Sequence, residues 1–248
     1  MRLDKFLVNS GICTTRTRAQ ELITSGGVNV NGKTTLKPSH DLGPDDKVVA
    51  AKIPQHKYVS RAGYKLEKAI NHIGLDINGL LALDIGQSTG GFTDCLLQHG
   101  ASKVIGLDVG VNQLHKQIRQ NKNVLFFEKI NAKNLEPFLK SNNYQNIFNL
   151  VVCDMSFISV TTVFPFLKMA LTIHRASSKG ALLLVKPQFE LGAEALNSKG
   201  VVKDPGLYVP LKKNIINNLE QQGYKVLDYF SSQLEGKSGN KEFFVYVK

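Results

Sequence analysis

The feature that most constrains the fold is a strand, an acid and a glycine-rich turn within residues 80–92. The stretch begins with a short apolar run that carries Asp84 and is typical of a buried strand. A turn with three glycines follows from Gly86, and the apolar pattern from Phe92 predicts the start of a helix. This order is typical of the nucleotide-binding corner of an α/β sheet, because glycine lets backbone N–H groups approach a ligand closely.

The spacing of this turn narrows the choice of ligand. Phe92 occupies the place of the phosphate-binding lysine of a phosphate loop, which argues against ATP or GTP. Ser88 stands where the dinucleotide motif has its second glycine. What remains, D-x-G-x-x-x-G-G, is the looser turn used for S-adenosylmethionine. We therefore expect S-adenosylmethionine as cofactor, and the candidate contacts in this stretch are Asp84, Gly86, Ser88, Thr89, Gly90, Gly91 and Phe92.

A second acid supports this assignment. The apolar run 104–107 ends in Asp108, 22 residues after Gly86, where an acid accepts hydrogen bonds from ribose hydroxyls. Asn131, just beyond the strand-like run 124–127, is a further cofactor candidate. The alternative is a glycine-rich turn without a ligand and an aspartate that caps the next helix. No metal site is predicted, since the three cysteines lie far apart and lack zinc-site spacing.

The rest of the second part alternates strands with helices, which predicts an α/β fold with a mostly parallel sheet and helices on both faces. Pro165 should kink the helix predicted around it or delay its start. The predicted strands are 80–85, 104–108, 124–127, 150–154 and 181–185, and residues 225–231 and 242–247 form a closing antiparallel pair. The predicted helices are 60–73, 92–97, 113–120, 160–171 and 207–222.

Residues 1–57 are predicted to form a separate small α+β module, and residues 58–248 the larger domain, with a short linker over 52–58. Two short helices come first, and Thr14 or Thr15 can cap the second. Asn31 and Gly32 are a two-residue hairpin signal, followed by a strand over 47–50.

The net charge of +11 favours an anionic partner, with nucleic acid ahead of an acidic membrane surface. Residues 1–57 hold 9 Lys and Arg against 5 Asp and Glu, and the remainder holds 22 against 15. The excess therefore belongs to both parts of the chain. Charges at the N-terminus where a signal peptide needs an apolar run, and the lack of any apolar stretch near ~20 residues, lead us to expect a cytoplasmic protein with no membrane span.

Two titratable residues, Asp154 and Lys186, each follow an otherwise apolar strand. If the last strand is antiparallel, Glu242 returns to the same edge of the sheet. An ammonium at the end of a buried run needs carboxylates near it, which Asp154 and Glu242 could supply. A lysine amine that has lost its proton can deprotonate a sugar hydroxyl, and a second cation nearby favours that form. Lys65 is the candidate for the second cation, although its position alone favours a surface helix lysine.

Several motifs carry a family resemblance. S-R-A-G-Y-K-L, D-I-G-Q-S-T-G-G-F-T-D-C-L-L, D-M-S-F-I-S, V-K-P-Q-F-E and G-N-K-E-F lie in this order across residues 60–243. R-L-D-K-F-L, T-R-T-R-A-Q-E-L-I and G-G-V-N-V-N-G-K in the N-terminal module resemble an S4 RNA-binding domain. The whole chain resembles the TlyA-type (haemolysin A) rRNA 2′-O-methyltransferases, which join an S4 domain to an FtsJ/RrmJ-like methyltransferase domain.

The resemblance implies a Rossmann-like S-adenosylmethionine-dependent methyltransferase fold and 2′-O-methylation of cytidines in 16S and, in some members, 23S ribosomal RNA. Ribosomal RNA or ribosomal subunits are then the partners. The implied catalytic tetrad is Lys65, Asp154, Lys186 and Glu242. The RNA-binding candidates are Arg2, Lys5, Arg16, Arg18, Lys33 and Arg61. Ala62, in place of a common glycine, and Gln87, where a small residue is usual, depart from the family pattern.

Other functions fit less well. Methylation of an exocyclic nitrogen would need prolines soon after Asp154, and carbon-5 methylation would need a cysteine nucleophile, whereas Cys95 and Cys153 sit inside apolar patterns. A membrane-acting haemolysin would need a spanning segment or a strongly amphipathic basic helix. A non-catalytic RNA-binding protein is a further alternative, but the presence of all four tetrad residues argues against it.

Overall fold

The computed structural model describes residues 1–13, 15–51, 57–172, 176–236 and 239–248. Two compact units, Met1–Lys57 and Tyr58–Lys248, make up the chain. The linker predicted over 52–58 falls mostly on residues 52–56, and Thr14 was one of two predicted helix caps; both lie outside the described residues.

The N-terminal unit has two short helices and a three-stranded antiparallel sheet. The helices are α1 (Leu3–Asn9) and α2 (Arg16–Thr24), and the strands are β1 (Val28–Val30), β2 (Lys33–Thr34) and β3 (Val48–Ala50), in the order β2-β1-β3. Thr15 caps α2 by accepting a hydrogen bond from the N–H of Arg18. Asn31 and Gly32 both have positive φ angles, 52° and 77°, which fit the predicted two-residue hairpin turn.

The larger unit is built on a seven-stranded sheet. Its strands are β4 (Leu81–Ile85), β5 (Lys103–Leu107), β6 (Val124–Phe127), β7 (Leu150–Cys153), β8 (Gly180–Val185), β9 (Val226–Ser231) and β10 (Phe243–Val247). The order is β6-β5-β4-β7-β8-β10-β9. β4 to β8 pair in parallel, and β10 is antiparallel to both of its neighbours. The prediction of a mostly parallel sheet with a closing antiparallel pair is confirmed.

Helices cover both faces of this sheet, because the strand residues are apolar on both sides. The helices are α3 (Arg61–Ile73), α4 (Gly91–Gln98), α5 (Lys116–Arg119), α6 (Leu135–Ser141), α7 (Leu167–Ala170), α8 (Pro187–Glu190) and α9 (Tyr208–Gln221). Leu182 and Leu184 of β8 pack in the core that includes α3 and α4. Leu183 and Val185, which point the other way, pack in the core that includes α6, α7 and α9.

Two predicted helices are shorter than expected. Only Lys116–Arg119 of the predicted helix 113–120 is helical, because the side chain of Gln113 accepts a hydrogen bond from Ser88 and Asn112 has a φ angle of 55°. Over 160–171 the chain forms a 3₁₀ helix, Val160–Phe166, and then α7. Pro165 explains this, since it lacks an N–H and its ring disfavours the α-helical turn before it. The structure also contains α6 and α8, which the sequence pattern did not predict.

Candidate active site

A cavity of about 570 Å³ lies at the carboxyl ends of β4, β5 and β7. Among the residues that line it are Gly86, Ser88, Asp108, Asn131 and Asp154. Ligands in parallel α/β sheets bind at this edge, and the volume suits a small organic molecule. The structure therefore brings five of the predicted site residues to one cavity.

Gly86 allows the turn after β4 to pass close to the end of β7. Its φ angle is +83°, and a Cβ there would lie 2.6 Å from the carbonyl oxygen of Asp154. Its N–H donates to the carbonyl of Leu107 at 2.8 Å. Any side chain at this position would strain the backbone and push Asp154 from its place.

Asp108 ties the glycine turn to the end of β5. One carboxylate oxygen accepts from the N–H of Ser88 at 2.7 Å and the other from the N–H of Gly110 at 2.6 Å. A carboxylate has about four acceptor positions, so this side chain retains capacity for ligand hydroxyls. Asn131 lines the same cavity, and its side chain accepts from the N–H of Lys133 at the start of a short 3₁₀ helix.

The remaining predicted cofactor residues support the turn instead of facing the cavity. Asp84 is fully buried beneath it, and Phe92 is in the core, with its ring stacked on Phe244 at a centroid distance of 6.2 Å. Gly90 and Gly91 begin α4, where a Cβ at Gly91 would collide with Ser60. The side chains of Asp84 and Phe92 thus lie outside the cavity lining, and their part in cofactor binding stays a prediction. Thr89 is exposed, and its carbonyl accepts from the N–H of His115 at 3.2 Å.

Gln87, the departure from the family pattern, packs against a glycine of the neighbouring strand β5. Its side chain is buried and donates to the hydroxyl of Thr93 at 2.8 Å, which in turn donates to Asp84 at 2.6 Å. The carboxamide fills the space that a side chain at Gly106 would occupy. Sequence analysis missed this buried polar chain, and the pairing of Gln87 with a strand glycine on β5 is the only signal for it.

Burial raises the pKa of Asp84 to about 7, while the hydrogen bond from Thr93 acts in the opposite direction. The folded protein therefore holds a proton on Asp84 at pH values where the unfolded chain has lost it. We therefore expect Asp84 to lower the free energy of unfolding as the pH rises from about 4 to about 7. Above pH 7 the contribution of Asp84 to this free energy should stay constant.

The Asp84→Asn variant should lack the part of the pH dependence that comes from the titration of Asp84. Since one pKa unit corresponds to about 1.4 kcal/mol, the difference in unfolding free energy between variant and wild type should change by at most about 4 kcal/mol across that range. Urea unfolding at a series of pH values measures it. Glu220→Gln, an exposed change on α9, is the control, and its unfolding free energy should change with pH as that of the wild type does. If the profile of Asp84→Asn also ran parallel to that of the wild type, Asp84 would not have a raised pKa.

Next to the cavity, four charged side chains form two ion pairs. The Nζ of Lys186 lies 2.5 Å from Asp154 Oδ1, and that of Lys65 lies 2.5 Å from Glu242 Oε2. Lys186 Nζ also donates to the hydroxyl of Ser156 at 3.0 Å. The exposed fractions of the four side chains are between 3% and 15%. Four such buried charges are tolerable because each has a partner of opposite sign.

The sheet register explains why these residues meet. Phe243 of β10 pairs with Val185 of β8, so Glu242 and Lys186 leave the sheet at the same edge. Asp154 follows β7, the parallel neighbour of β8. The predicted gathering of the tetrad is therefore present, but the pairing differs from the expectation that both carboxylates surround Lys186, since Glu242 pairs with Lys65.

Gly236 makes room for the Glu242 carboxylate. A Cβ at Gly236 would lie 2.5 Å from Glu242 Oε1. The N–H of Gly236 donates to the carbonyl of Asn240 at 2.7 Å, and the buried Asn240 side chain accepts from Val202 N–H and donates to Gly200. The backbone around Glu242 is thus held from two sides.

A Gly236→Ala substitution is expected to displace Glu242 from Lys65 and lower kcat by about tenfold or more, since small misplacements of positioning groups are costly. The thermal midpoint should also fall, because a buried Glu242 that is displaced from Lys65 loses the partner that stabilises its charge. Gly43→Ala is the matched control, as the atom nearest to its added Cβ would be 3.8 Å away. Equal kcat values for Gly236→Ala and wild type would show that this close approach has no role in the site.

Phe157 is an exposed aromatic residue at the cavity rim that sequence analysis did not single out. It is 91% exposed and has a φ angle of +67°. Its ring lies 5.3 Å from that of Phe189, whose centroid is 6.0 Å from Lys186 Nζ. An exposed phenylalanine with a positive φ angle is unfavourable by itself, which is typical of residues kept for a binding role.

In the N-terminal unit, two of the predicted RNA-binding residues surround one buried acid. Arg2 and Arg16 pair with Asp4 at 3.0 Å and 2.8 Å, and Gln20 donates to the same carboxylate. The Arg2 guanidinium holds the pKa of Asp4 well below its usual range. The other candidates in this unit are Lys5 and Lys33, which are exposed, and Arg18, which is half-buried. Arg61 is exposed at the start of α3 in the larger unit.

Comparison with known families decides the assignment of the larger unit. Residues 58–248 match the model of the FtsJ-like methyltransferases, and residues 1–48 match that of the S4 domain. The chain belongs to the FtsJ-like methyltransferase family. The resemblance drawn from the sequence motifs is thereby confirmed, and the fold just described is the one that this family implies.

Relatives of this FtsJ-like chain carry two kinds of name. It is 37% identical to Hemolysin A of Brachyspira hyodysenteriae, over 99% of both chains. It is 34% identical to the 16S/23S rRNA (cytidine-2′-O)-methyltransferase TlyA of Mycobacterium tuberculosis, over 100% of this chain and 89% of the relative. A solved structure from Streptococcus thermophilus, which is named a hemolysin, superposes with a TM-score of 0.74 at 32% identity, over 100% of this chain and 87% of the other.

The name hemolysin raises the question of a membrane-spanning segment. In the part of this FtsJ-like chain that the structure describes, no helix combines the length and the apolar character needed to cross a bilayer.

Proposed function

We propose that this protein transfers a methyl group from S-adenosylmethionine to the 2′-hydroxyl of a cytidine in ribosomal RNA. The observation that carries the proposal is the position of Asp154, which lines the 570 Å³ cavity and also pairs with Lys186. A methyl donor in the cavity and an amine able to take a hydroxyl proton would thus be neighbours. The rRNA (cytidine-2′-O)-methyltransferase among the relatives supports this choice of substrate.

The chemistry of the cavity fits S-adenosylmethionine. Gly86 leaves space close to the backbone, Asp108 has acceptor capacity for ribose hydroxyls, and Asn131 adds a polar side chain. When bound, this cofactor supplies an electrophilic methyl group attached to sulfur. The other residues of the turn, from Asp84 to Phe92, would act by holding its shape.

The tetrad would handle the proton. A ribose hydroxyl is a weak nucleophile and must lose its proton as its oxygen bonds to the methyl carbon. We assign the acceptor role to Lys186 in its amine form, because Asp154 and Ser156 hold its nitrogen beside the cavity. Glu242 and Lys65 would position the ribose from the other side of the edge.

The N-terminal unit would hold the RNA. Its exposed lysines and the Arg2–Asp4–Arg16 cluster can contact phosphates, which give affinity with little sequence choice. Since ribosomal RNA is the proposed substrate, we place the activity in the cytoplasm. The relatives' names cover both small-subunit and large-subunit RNA, and we propose small-subunit RNA first, with large-subunit RNA as the second substrate.

Phe157 is proposed to stack on the base of the methylated nucleotide. Phe157→Ala should raise KM for RNA by about tenfold, because the stacking of a base on an aromatic ring is worth about 1–3 kcal/mol. Phe157→Tyr keeps an aromatic face and should behave like wild type. Steady-state methylation with varied RNA measures both. Unchanged KM in the alanine variant would remove Phe157 from the substrate site.

The proposal as a whole is tested by incubating the protein with methyl-labelled S-adenosylmethionine and purified ribosomal RNA. Label should enter the ribosomal RNA and not an equal mass of transfer RNA. Asp108→Ala should lose incorporation together with cofactor affinity measured by calorimetry. Label in neither RNA, with cofactor bound normally, would reject ribosomal RNA as the substrate.

A further inference from the structure

A second cavity of about 560 Å³ lies on the far side of Glu242 from the first. It is formed by the start of α9, the end of β9 and the start of β10. Tyr208, Val209, Lys241, Glu242 and Phe243 contribute to its wall. Nothing in the methyl-transfer scheme above uses this cavity, although it shares a tetrad residue with the site.

The wall has an aromatic side. The rings of Tyr208 and Phe243 meet edge to face with centroids 5.3 Å apart, and Tyr229 stacks on Phe243 at 5.5 Å. Val209 next to them is 61% exposed and adds an apolar side chain beside these rings. An aromatic ring in the wall of a cavity offers a face on which a planar ligand can stack.

The wall also has polar and cationic groups. Gln233 offers an amide donor and acceptor, and Glu235 offers acceptors only. Lys241 supplies a positive charge at the rim. Lys212, one helical turn after Tyr208, lies with its Nζ 5.3 Å from the centroid of the Tyr229 ring. Ring surface, amide and lysine together match the base, its edge and the phosphate of a nucleotide.

We propose that this cavity binds the base of a nucleotide adjacent to the one that is methylated. The inference rests on the proposed function, in which the RNA places one ribose beside Lys186 and Glu242. The neighbouring nucleotide of that RNA would then lie next to Glu242, where the second cavity begins. The base stacks on the Tyr208 ring, with Phe243 beside it, and the acceptor-only carboxylate of Glu235 favours a base with an exocyclic amino group. The cavity would then contribute to the choice of the methylated position.

Photo-crosslinking tests the position of the RNA directly. Benzoylphenylalanine replaces Val209 in the full chain, and irradiation is carried out with ribosomal RNA and S-adenosylmethionine. The crosslink, mapped by primer extension, is expected within about two nucleotides of the ribose that the same preparation methylates. Leu227, 39% exposed at the opposite end of β9, is the matched control position and should give no crosslink there. A crosslink at Val209 that maps elsewhere, or none, overturns the proposal.

Kinetics provide the second test. Tyr208→Ala should raise KM for RNA by about tenfold with kcat within about twofold, and Tyr208→Phe should retain the wild-type KM. An abasic nucleotide at the crosslinked position should remove the difference between Tyr208→Ala and wild type. If Tyr208→Ala methylates RNA with an unchanged KM, the cavity does not bind the base and this proposal is overturned. Failure of the wild type to methylate the RNA would instead overturn the proposed function.

Discussion

Replacement of Lys186 by methionine is expected to abolish methyl transfer to RNA, with a decrease in kcat of about 10²–10⁴-fold, the usual contribution of general acid–base catalysis. Methionine is unbranched like lysine and only one atom shorter, and it lacks the amine that we assign as acceptor of the hydroxyl proton. The affinity for S-adenosylmethionine should remain within a few-fold of wild type, since Lys186 pairs with Asp154 and Ser156. Single-turnover transfer of labelled methyl and calorimetry of cofactor binding measure the two quantities.

Lys140→Met is the matched control for this experiment. It removes the same charge from an exposed position on α6, where Lys140 pairs with Glu136 one turn away. Its kcat should equal that of wild type. Transfer retained in the Lys186 variant at the wild-type rate would mean that a group other than Lys186 takes the proton.

Removal of residues 1–57 is expected to weaken binding to ribosomal RNA by at least about tenfold and to leave cofactor affinity unchanged. Five RNA-binding candidates lie in this unit, and each phosphate contact that is lost also reduces the dependence of binding on salt. Filter binding over a salt series measures affinity and slope together. Circular dichroism and cofactor binding of the 58–248 fragment report whether the larger unit is intact.

A substitution in the full chain separates charge from the loss of a whole unit. Lys5 and Lys33 are exposed and take no part in the Asp4 cluster, so Lys5→Gln with Lys33→Gln should leave the fold intact. For two lost phosphate contacts the slope of log K against log salt should fall by about 1.4–1.8. An unchanged slope in the double variant would mean that residues other than Lys5 and Lys33 contact the RNA. Equal RNA affinity in the deletion variant would reject the RNA-binding role of the N-terminal unit.

The sequence was sufficient to predict the sheet and the edge at which the site lies. Apolar runs that end in Asp108, Asp154 and Lys186 identify strand ends, and the carboxyl ends of parallel strands meet at one edge. The antiparallel direction of β10 then brings Glu242 back to that edge. Pattern and topology therefore suffice to place these residues near one another.

The sequence could not predict which charges pair. Glu242 was expected to pair with Lys186, but in the structure it forms an ion pair with Lys65 on α3. The choice depends on how α3 packs against the sheet and on angstrom-scale side-chain reach. Neither periodicity nor spacing contains that information. The same holds for Asp84, whose place beneath the turn depends on Thr93 and Gln87.

Local backbone chemistry accounts for the remaining differences. Pro165 converts the predicted helix into a 3₁₀ segment, and Gln113 is drawn towards Ser88 instead of into α5. Phe157 escaped notice because its exposure and positive φ angle are invisible in a sequence where it reads as one more apolar residue. Of these residues, Gln113 and Phe157 line the cavity, and departures from local rules are expected at functional sites.

The position of the transferred methyl group tests the central claim most directly. Ribosomal RNA labelled by the wild-type protein is hydrolysed with alkali, which cannot cleave the phosphodiester next to a methylated 2′-oxygen. We predict that the label appears in alkali-resistant dinucleotides, that enzymatic digestion releases it as 2′-O-methylcytidine, and that both signals are absent with Lys186→Met. Label released as a base-methylated mononucleotide would contradict the account, because the arrangement of Lys186, Asp154 and the cofactor cavity would then serve a different reaction.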